Sequence, residues 1–265
     1  MKDKITIAVS VLALVFSFAS ATISFQLQKG DSQRTAKELL SKTVAELIDL
    51  NTKTATLWFT PEDHRNTLYY QQVSIMSQKA ASLTRQALYI ANNNPNIVTD
   101  VDFATIAQGL VIVGDNLLAD NYWRKAVETS PTNFYKVVNL RGYADFLFRQ
   151  GSHELARESY QKSLKVFKTD TDYNKATNGY TYQMWMNSEL QNGLYQEAKN
   201  HFDRAKGLYE SISNPDMKMR NLESLNQAMN AIPSQNEESI EGDNKLKDFD
   251  KKFGPGSLGE LDKLN

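Results

Sequence analysis

The side chains that most often perform catalysis or bind metals are few in this sequence and far apart. The three histidines are His64, His153 and His201, and no H-x-x-x-H or H-E-x-x-H spacing occurs. Two histidines one helical turn apart would be needed to hold zinc on one face of a helix. The chain also has no cysteine, which excludes thiol catalysis, disulfides and cysteine-bound zinc. The sequence therefore predicts no metal site and no cofactor.

Carboxylates and glycines are not arranged for catalysis either. The adjacent acids Glu237 and Glu238 lie in a polar terminal stretch, where nothing would desolvate them for acid–base chemistry. Neither a glycine-rich phosphate loop nor a G-x-S-x-G turn is present. We therefore expect a protein that is not an enzyme. Its 30 Lys and Arg nearly balance its 31 Asp and Glu, without a basic block, so nucleic acid is not an expected partner.

The N-terminal segment from Ile5 to Leu27 carries no charge, whereas the remaining sequence is rich in charged residues. As a helix it would be roughly 35 Å long, which is enough to cross a hydrocarbon core of about 30 Å. The sequence therefore predicts a short N-tail over residues 1–4 and a transmembrane anchor over residues 5–27, with a membrane as partner through that anchor.

A cleaved signal peptide is the alternative interpretation of the same segment. Lys2 and Lys4 form a basic start, and Ala19-Ser20-Ala21 has the form of a cleavage motif after an apolar stretch. The apolar stretch continues to Phe25, which favours an uncleaved anchor. The order of these features favours a single-pass membrane protein. The rest of the chain, including the repeats at residues 100–212, would lie on the exported, periplasmic side. Basic residues after the segment leave the cytoplasmic side open.

Residues 33–95 contain two stretches in which apolar residues recur at alternating steps of four and three. This spacing places them on one side of a helix, so two helices with facing apolar seams are expected. Thr60-Pro61 would begin the second helix, and Asn94-Pro95 would end it. We interpret the pair as a helical hairpin. Ala80 and Ala87 lie seven residues apart, so a second interpretation is that this helix pair is a degenerate repeat.

A pattern recurs three times after residue 100. A glycine is followed five residues later by alanine, after four more by an aromatic residue, and after three more by a small residue. Glycine is suited to ending a helix, and a small side chain lets two helix axes approach. Each set therefore predicts a helical hairpin. The sets are Gly114, Ala119, Trp123 and Ala126; Gly151, Ala156, Tyr160 and Ser163; and Gly193, Ala198, Phe202 and Ala205.

This spacing resembles the tetratricopeptide repeat, with units at residues 100–133, 137–170 and 179–212. The extra residues between units are expected in connections around residues 132–135 and 169–172. The third unit departs from the family pattern at Met186, where a small residue is expected, and at Glu189, where an apolar one is expected. The resemblance implies three hairpins stacked in a right-handed α-solenoid.

The resemblance also implies a concave groove formed by the first helix of each unit. Positions two, five, nine and twelve of each unit would face that groove. Arg141 and Asp145 are also compatible with an ordinary exposed helix pair, which contributes about 0.2–0.5 kcal/mol. The polar and aromatic residues predicted to bind a partner there are Gln108, Arg141, Asp145, Phe148, Tyr180, Gln183 and Asn187.

After the third unit, Asn214-Pro215 begins a predicted capping helix over residues 214–232, and a disordered tail is expected over residues 233–265. The expected fold class is all-α. The expected function is a membrane-tethered scaffold or adaptor that binds a protein or peptide in the groove and assembles complexes. The alternative is a helical sensory or signalling ectodomain that binds a ligand or peptide. The sequence does not indicate an oligomeric state.

Overall fold

The computed structural model describes residues 30–54, 56–57 and 65–230. These ranges contain helices and short connections but no strand, which confirms the predicted all-α class. A short 3-10 helix, Pro95–Ile97, joins the second and third α-helices. The α-helices are α1 over residues 30–54 and 56–57, α2 Thr67–Asn93, α3 Asp100–Ile112, α4 Asn116–Glu128, α5 Asn133–Arg149, α6 His153–Leu164, α7 Asp172–Gln191, α8 Tyr195–Glu210 and α9 Pro215–Asn230.

The chain divides into two compact units, Met1–Gly142 and Tyr143–Asn265. In the first unit, α1 and α2 bury the apolar seams that the sequence predicts. The buried seam residues are Leu40, Leu47 and Leu50 on α1 and Ala80, Ala87 and Ile90 on α2. The predicted start at Thr60-Pro61 lies outside the described residues. The described part of α2 begins after Asn66, whose Oδ1 accepts a hydrogen bond from the Tyr69 amide at 3.1 Å.

The glycine at the end of the first helix in each hairpin is confirmed as a helix terminator. Gly114, Gly151 and Gly193 have φ angles of 81°, 74° and 73°, a left-handed conformation that favours glycine. In each case the next amide donates to the carbonyl five residues earlier, at 3.0, 2.9 and 2.9 Å. These bonds satisfy carbonyls that the last helical turn leaves open. The alanines five residues after each glycine, Ala119, Ala156 and Ala198, are completely buried.

Helices α5 and α7 begin earlier than the sequence analysis predicts. Residues 132–135 and 169–172 were expected to form connections, but each range contains a threonine that caps the following helix. Consequently α5 and α7 have 17 and 20 residues, compared with 13 in α3. The extra residues therefore mainly lengthen the first helices of these hairpins. The capping bonds run from the Tyr135 amide to Thr132 Oγ1 at 3.3 Å and from the Asn174 amide to Thr171 Oγ1 at 3.1 Å.

In the second unit, α7, α8 and α9 share one hydrophobic core. Met186 of α7, Tyr209 of α8 and Leu225 of α9 are all completely buried in it. Asn214 begins α9 as predicted, because its Oδ1 accepts a hydrogen bond from the Met217 amide at 2.9 Å. Helix α9 therefore packs against α7 and α8, whereas the predicted α-solenoid and the capping role of α9 stay predictions.

The predicted localisation requires correction. The sequence analysis expects a single-pass membrane protein, but among the described helices none combines the length and the apolar character needed to cross a membrane. The predicted anchor, or signal peptide, at residues 5–27 lies outside the described residues, as does the predicted tail at 233–265.

Candidate functional site

The predicted partner-binding residues differ in their exposure. In the first unit, Gln108 is exposed on α3, and its Oε1 lies 3.3 Å from Asn51 Nδ2 of α1. In the second unit, Tyr180 on α7 is 47% exposed and Asn187 is half-buried. These three side chains, Gln108, Tyr180 and Asn187, remain accessible enough to contact a partner.

Three other predicted residues are buried. Phe148 is only 1% exposed and packs against the rings of Tyr160 and His153, with centroids 6.2 and 5.4 Å away. Arg141 is also buried. Gln183 accepts a hydrogen bond from Tyr209 Oη at 3.2 Å, and its Nε2 lies 3.3 Å from Ser224 Oγ. Gln183 therefore connects α7 to α8 and α9, and these three side chains are not carried into the proposed surface.

Asp145 is half-buried within the second unit. Its Oδ2 lies 2.8 Å from Nη2 of Arg149, four residues along α5, which is a favourable spacing for an ion pair on a helix. Its Oδ1 lies 3.5 Å from Ser188 Oγ of α7. These contacts give Asp145 a role in positioning α5 and α7.

The second unit also contains a buried charged group that the repeat pattern does not anticipate. Glu189 of α7 is completely buried, and its carboxylate accepts two hydrogen bonds from Arg157 of α6. The distances are 3.0 Å for Nε to Oε1 and 3.1 Å for Nη2 to Oε2. Trp185 Nε1 donates to Glu189 Oε1 at 2.9 Å. A carboxylate withdrawn from water needs such partners, because an isolated buried charge is strongly destabilising.

Aromatic rings continue this network from α6 to α8. The rings of Tyr160 and Trp185 stack with centroids 5.4 Å apart and planes 10° apart. The imidazole of His201 also stacks on Trp185, with centroids 3.9 Å apart. Tyr182 also stacks on His201, at 5.8 Å. The three helices are therefore held together by one stack of rings and one buried ion pair.

His201 is neutral at neutral pH. Burial lowers its pKa to about 4, because the charged imidazolium would lose its hydration; the Glu189 carboxylate acts in the opposite direction. The distance from His201 Nε2 to Glu189 Oε1 is 4.0 Å, too long for a hydrogen bond. Its Nδ1 is buried without a hydrogen-bond partner in the described part of the chain. His201 therefore acts through ring packing.

Carboxylate and imidazole groups are types that enzymes use for proton transfer, but here they are arranged for packing and for an ion pair with Arg157. Glu189 exposes no surface to a substrate, and both of its oxygens already accept hydrogen bonds. The sequence did contain a sign of this network. Glu189 and Met186 are the two positions at which the third unit departs from the repeat pattern.

Within the described ranges, no group of three or more His, Asp or Glu side chains is placed to hold a metal ion. Comparisons with protein-family models, curated proteins and solved structures find no match to this chain. The resemblance to the tetratricopeptide repeat therefore depends on the residue spacing alone.

Proposed function

We propose that this chain is a helical protein-interaction module, a scaffold or adaptor that binds a partner protein or peptide through the first helices of its hairpins. The main support is the exposure of the second residue in each predicted unit. These position-two side chains are Val101 on α3, Val138 on α5 and Tyr180 on α7, with exposed fractions of 41%, 42% and 47%. Apolar side chains at equivalent exposed positions are suited to contacting another polypeptide.

The lengthened starts of α5 and α7 add aromatic side chains to these surfaces. Phe134 and Tyr135 are exposed in the first turn of α5, and Tyr173 is exposed in the first turn of α7. Aromatic residues are enriched in protein interfaces, because a large rigid side chain gains contact area at a low entropic cost. Each of the two compact units, Met1–Gly142 and Tyr143–Asn265, therefore has exposed apolar and aromatic side chains on the first helix of a predicted hairpin.

The proposal includes no catalytic step. The titratable side chains gathered in the second unit are occupied in packing and in a buried ion pair, as the full burial of Glu189 shows. The expected activity is therefore binding, with the hairpins as a rigid support for exposed side chains.

Site-specific photocrosslinking tests this proposal. A photoreactive phenylalanine analogue would replace Val138 or Tyr180 in the full chain, in its native cells. Matched controls would place the same analogue at exposed positions on second helices, Asn121 of α4 and Lys199 of α8. We expect a discrete crosslinked polypeptide from positions 138 and 180, and at least fivefold less from the two controls.

Two results would contradict the proposal. Equal crosslinking at all four positions would show that contacts are nonspecific, and no crosslink at Val138 or Tyr180 would show that these surfaces do not bind a polypeptide. A small molecule that raises the melting temperature, without any crosslinked partner, would instead support the alternative of a ligand sensor.

A further inference from the structure

An open cavity of about 720 Å³ lies in the second unit, away from the position-two side chain Tyr180. The end of α6, the connection to α7, and one side each of α7 and α8 form its walls. Its lining combines apolar, aromatic, amide and cationic residues, among them Phe167, Lys168, Asn178, Arg204, Gly207 and Leu208.

Two cations give the cavity its charge. Lys168 and Arg204 are both exposed, and neither forms an ion pair with a carboxylate among the described residues. The Arg204 guanidinium carbon lies 5.7 Å from the centroid of the Tyr182 ring. A guanidinium over an aromatic face keeps its N–H donors available for an anion. The cavity therefore favours a ligand with a carboxylate.

Asn178 is a mostly buried member of the lining. The residue is 3% exposed, and its Nδ2 donates to the Phe167 carbonyl at 3.1 Å. This bond fixes the orientation of the amide, because the opposite orientation would place two acceptors against each other. The Asn178 Oδ1 then has no partner within the described residues. Asn178 therefore holds the connection before α7 in place at the cavity wall, through its bond to Phe167.

Gly207 is the most unusual residue of the lining. It lies inside α8 without a positive φ, and a Cβ built on it would meet no atom within 4 Å. By contrast, a Cβ on the helical Gly179 would overlap the ring of the buried Tyr209. Glycine inside a helix costs about 1 kcal/mol relative to alanine. Neither backbone conformation nor packing requires it at position 207, but it leaves the cavity wall flat enough for a main chain to pass.

We infer that this cavity binds an acidic peptide segment. A side-chain carboxylate lies between Lys168 and Arg204, an apolar neighbour packs against Phe167 and Leu208, and the peptide main chain passes over Gly207. A polypeptide is a better occupant than a small molecule, because the cavity is open to solvent and most small-molecule sites enclose their ligand. The inference shares with the proposed function only the class of partner, since it uses different residues.

Peptide selection on the full chain tests this inference. Random heptapeptides displayed on phage would be selected on the unaltered protein and on a double variant, Lys168→Glu with Arg204→Glu. Recovered sequences would then be synthesised, and their affinities measured by fluorescence anisotropy. We expect peptides with an acidic residue beside an apolar one to be enriched on the unaltered protein and lost on the double variant.

The peptide affinities of the variants show whether a selected peptide binds in this cavity or elsewhere on the protein. Because a hydrogen bond to a charged group is worth a factor of about 10 or more, the double variant should bind roughly 100-fold more weakly. Gly207→Met, which fills the cavity wall from an exposed helical position, should weaken binding by about 10-fold or more. Lys199→Glu makes the same type of charge change on α8 outside the cavity, and should change the affinity less than about threefold.

Circular dichroism would confirm that the variants remain helical, as expected because Lys168, Arg204 and Gly207 are all exposed. Selection of neutral or basic peptides, or no selection at all, would overturn the inference. Selected peptides that bind every variant equally would also overturn it, while leaving the proposed function intact, because they would bind elsewhere. An absence of crosslinks at Val138 and Tyr180, with peptide binding in the cavity retained, would instead contradict the proposed function and leave this inference intact.

Discussion

Replacing Arg157 with leucine would remove the charged partner of the fully buried Glu189 carboxylate. In the structure, Arg157 supplies two of the three hydrogen bonds to that carboxylate, and Trp185 supplies the third. Breaking a buried ion pair typically costs about 3–5 kcal/mol. The Arg157 side chain is 25% exposed, so water can partly replace it, and we expect the lower end, about 3 kcal/mol.

A second substitution isolates the contribution of the charge. Glu189→Gln keeps an acceptor for Trp185 Nε1 and removes the negative charge. In that background, Arg157→Leu no longer leaves a buried carboxylate without its charged partner. The loss in free energy of unfolding should then fall to about 1 kcal/mol. The expected coupling energy between the two positions is therefore about 2 kcal/mol, which a double-mutant cycle can resolve.

Urea denaturation of the four proteins would give the free energies of unfolding, and hydrogen exchange of α7 peptides would localise the effect. Peptides from α3 in the other unit serve as an internal reference. Arg149→Leu is the matched control, because it breaks the ion pair between the exposed Arg149 and the half-buried Asp145, which stays accessible to water, and should cost less than about 0.5 kcal/mol.

The reasoning fails if Arg157→Leu costs the same with Glu as with Gln at position 189. Equal costs would mean that Arg157 stabilises the unit through packing of its aliphatic part. It also fails if α3 and α7 peptides lose protection equally, since the network is confined to the second unit.

Four further predictions concern three glycines and His201. Gly179→Ala should destabilise the protein by roughly 1–3 kcal/mol in thermal denaturation, because its Cβ would overlap the ring of Tyr209, whereas Gly207→Ala should stabilise it by about 1 kcal/mol. Gly193→Ala, at a φ of 73°, should cost about 1 kcal/mol in the same assay. Burial lowers the pKa of His201 to about 4, below its ordinary value of 6.5, so the unfolded chain binds this proton first as pH falls. Stability that is complete above pH 6.5 should therefore decline towards pH 4, by at most about 3 kcal/mol, and His201→Gln should flatten that decline in urea titrations at several pH values.

Features that depend on local spacing were predictable from the sequence. The glycines that end α3, α5 and α7 need only a left-handed residue after a helical stretch, and the alanines five residues later need only a close helix neighbour. Such patterns extend over fewer than ten residues, so they can be read without knowing the fold. The all-α class and the start of α9 at Asn214 follow from the same kind of information.

Features that depend on distant partners were not predictable in the same way. Gln183 was assigned to an accessible groove, but α9 supplies Ser224 as its neighbour, 41 residues along the chain. Thr132 and Thr171 were assigned to connections, although each caps a longer helix. Threonine is common both in connections and at helix starts, so its type alone does not distinguish them.

The departures from the repeat pattern were the most informative residues. In a stacked array, the pattern specifies what each helix needs in order to pack against a neighbour of the same kind. Met186 departs from it and packs with Tyr209 of α8 and Leu225 of α9, the helix that follows the third hairpin. Glu189 departs from it and requires Arg157, which is 32 residues earlier in α6. A residue that breaks a repeat pattern and is nevertheless buried thus indicates a contact of a different kind, which in this chain is packing against α8 and α9 or an internal ion pair.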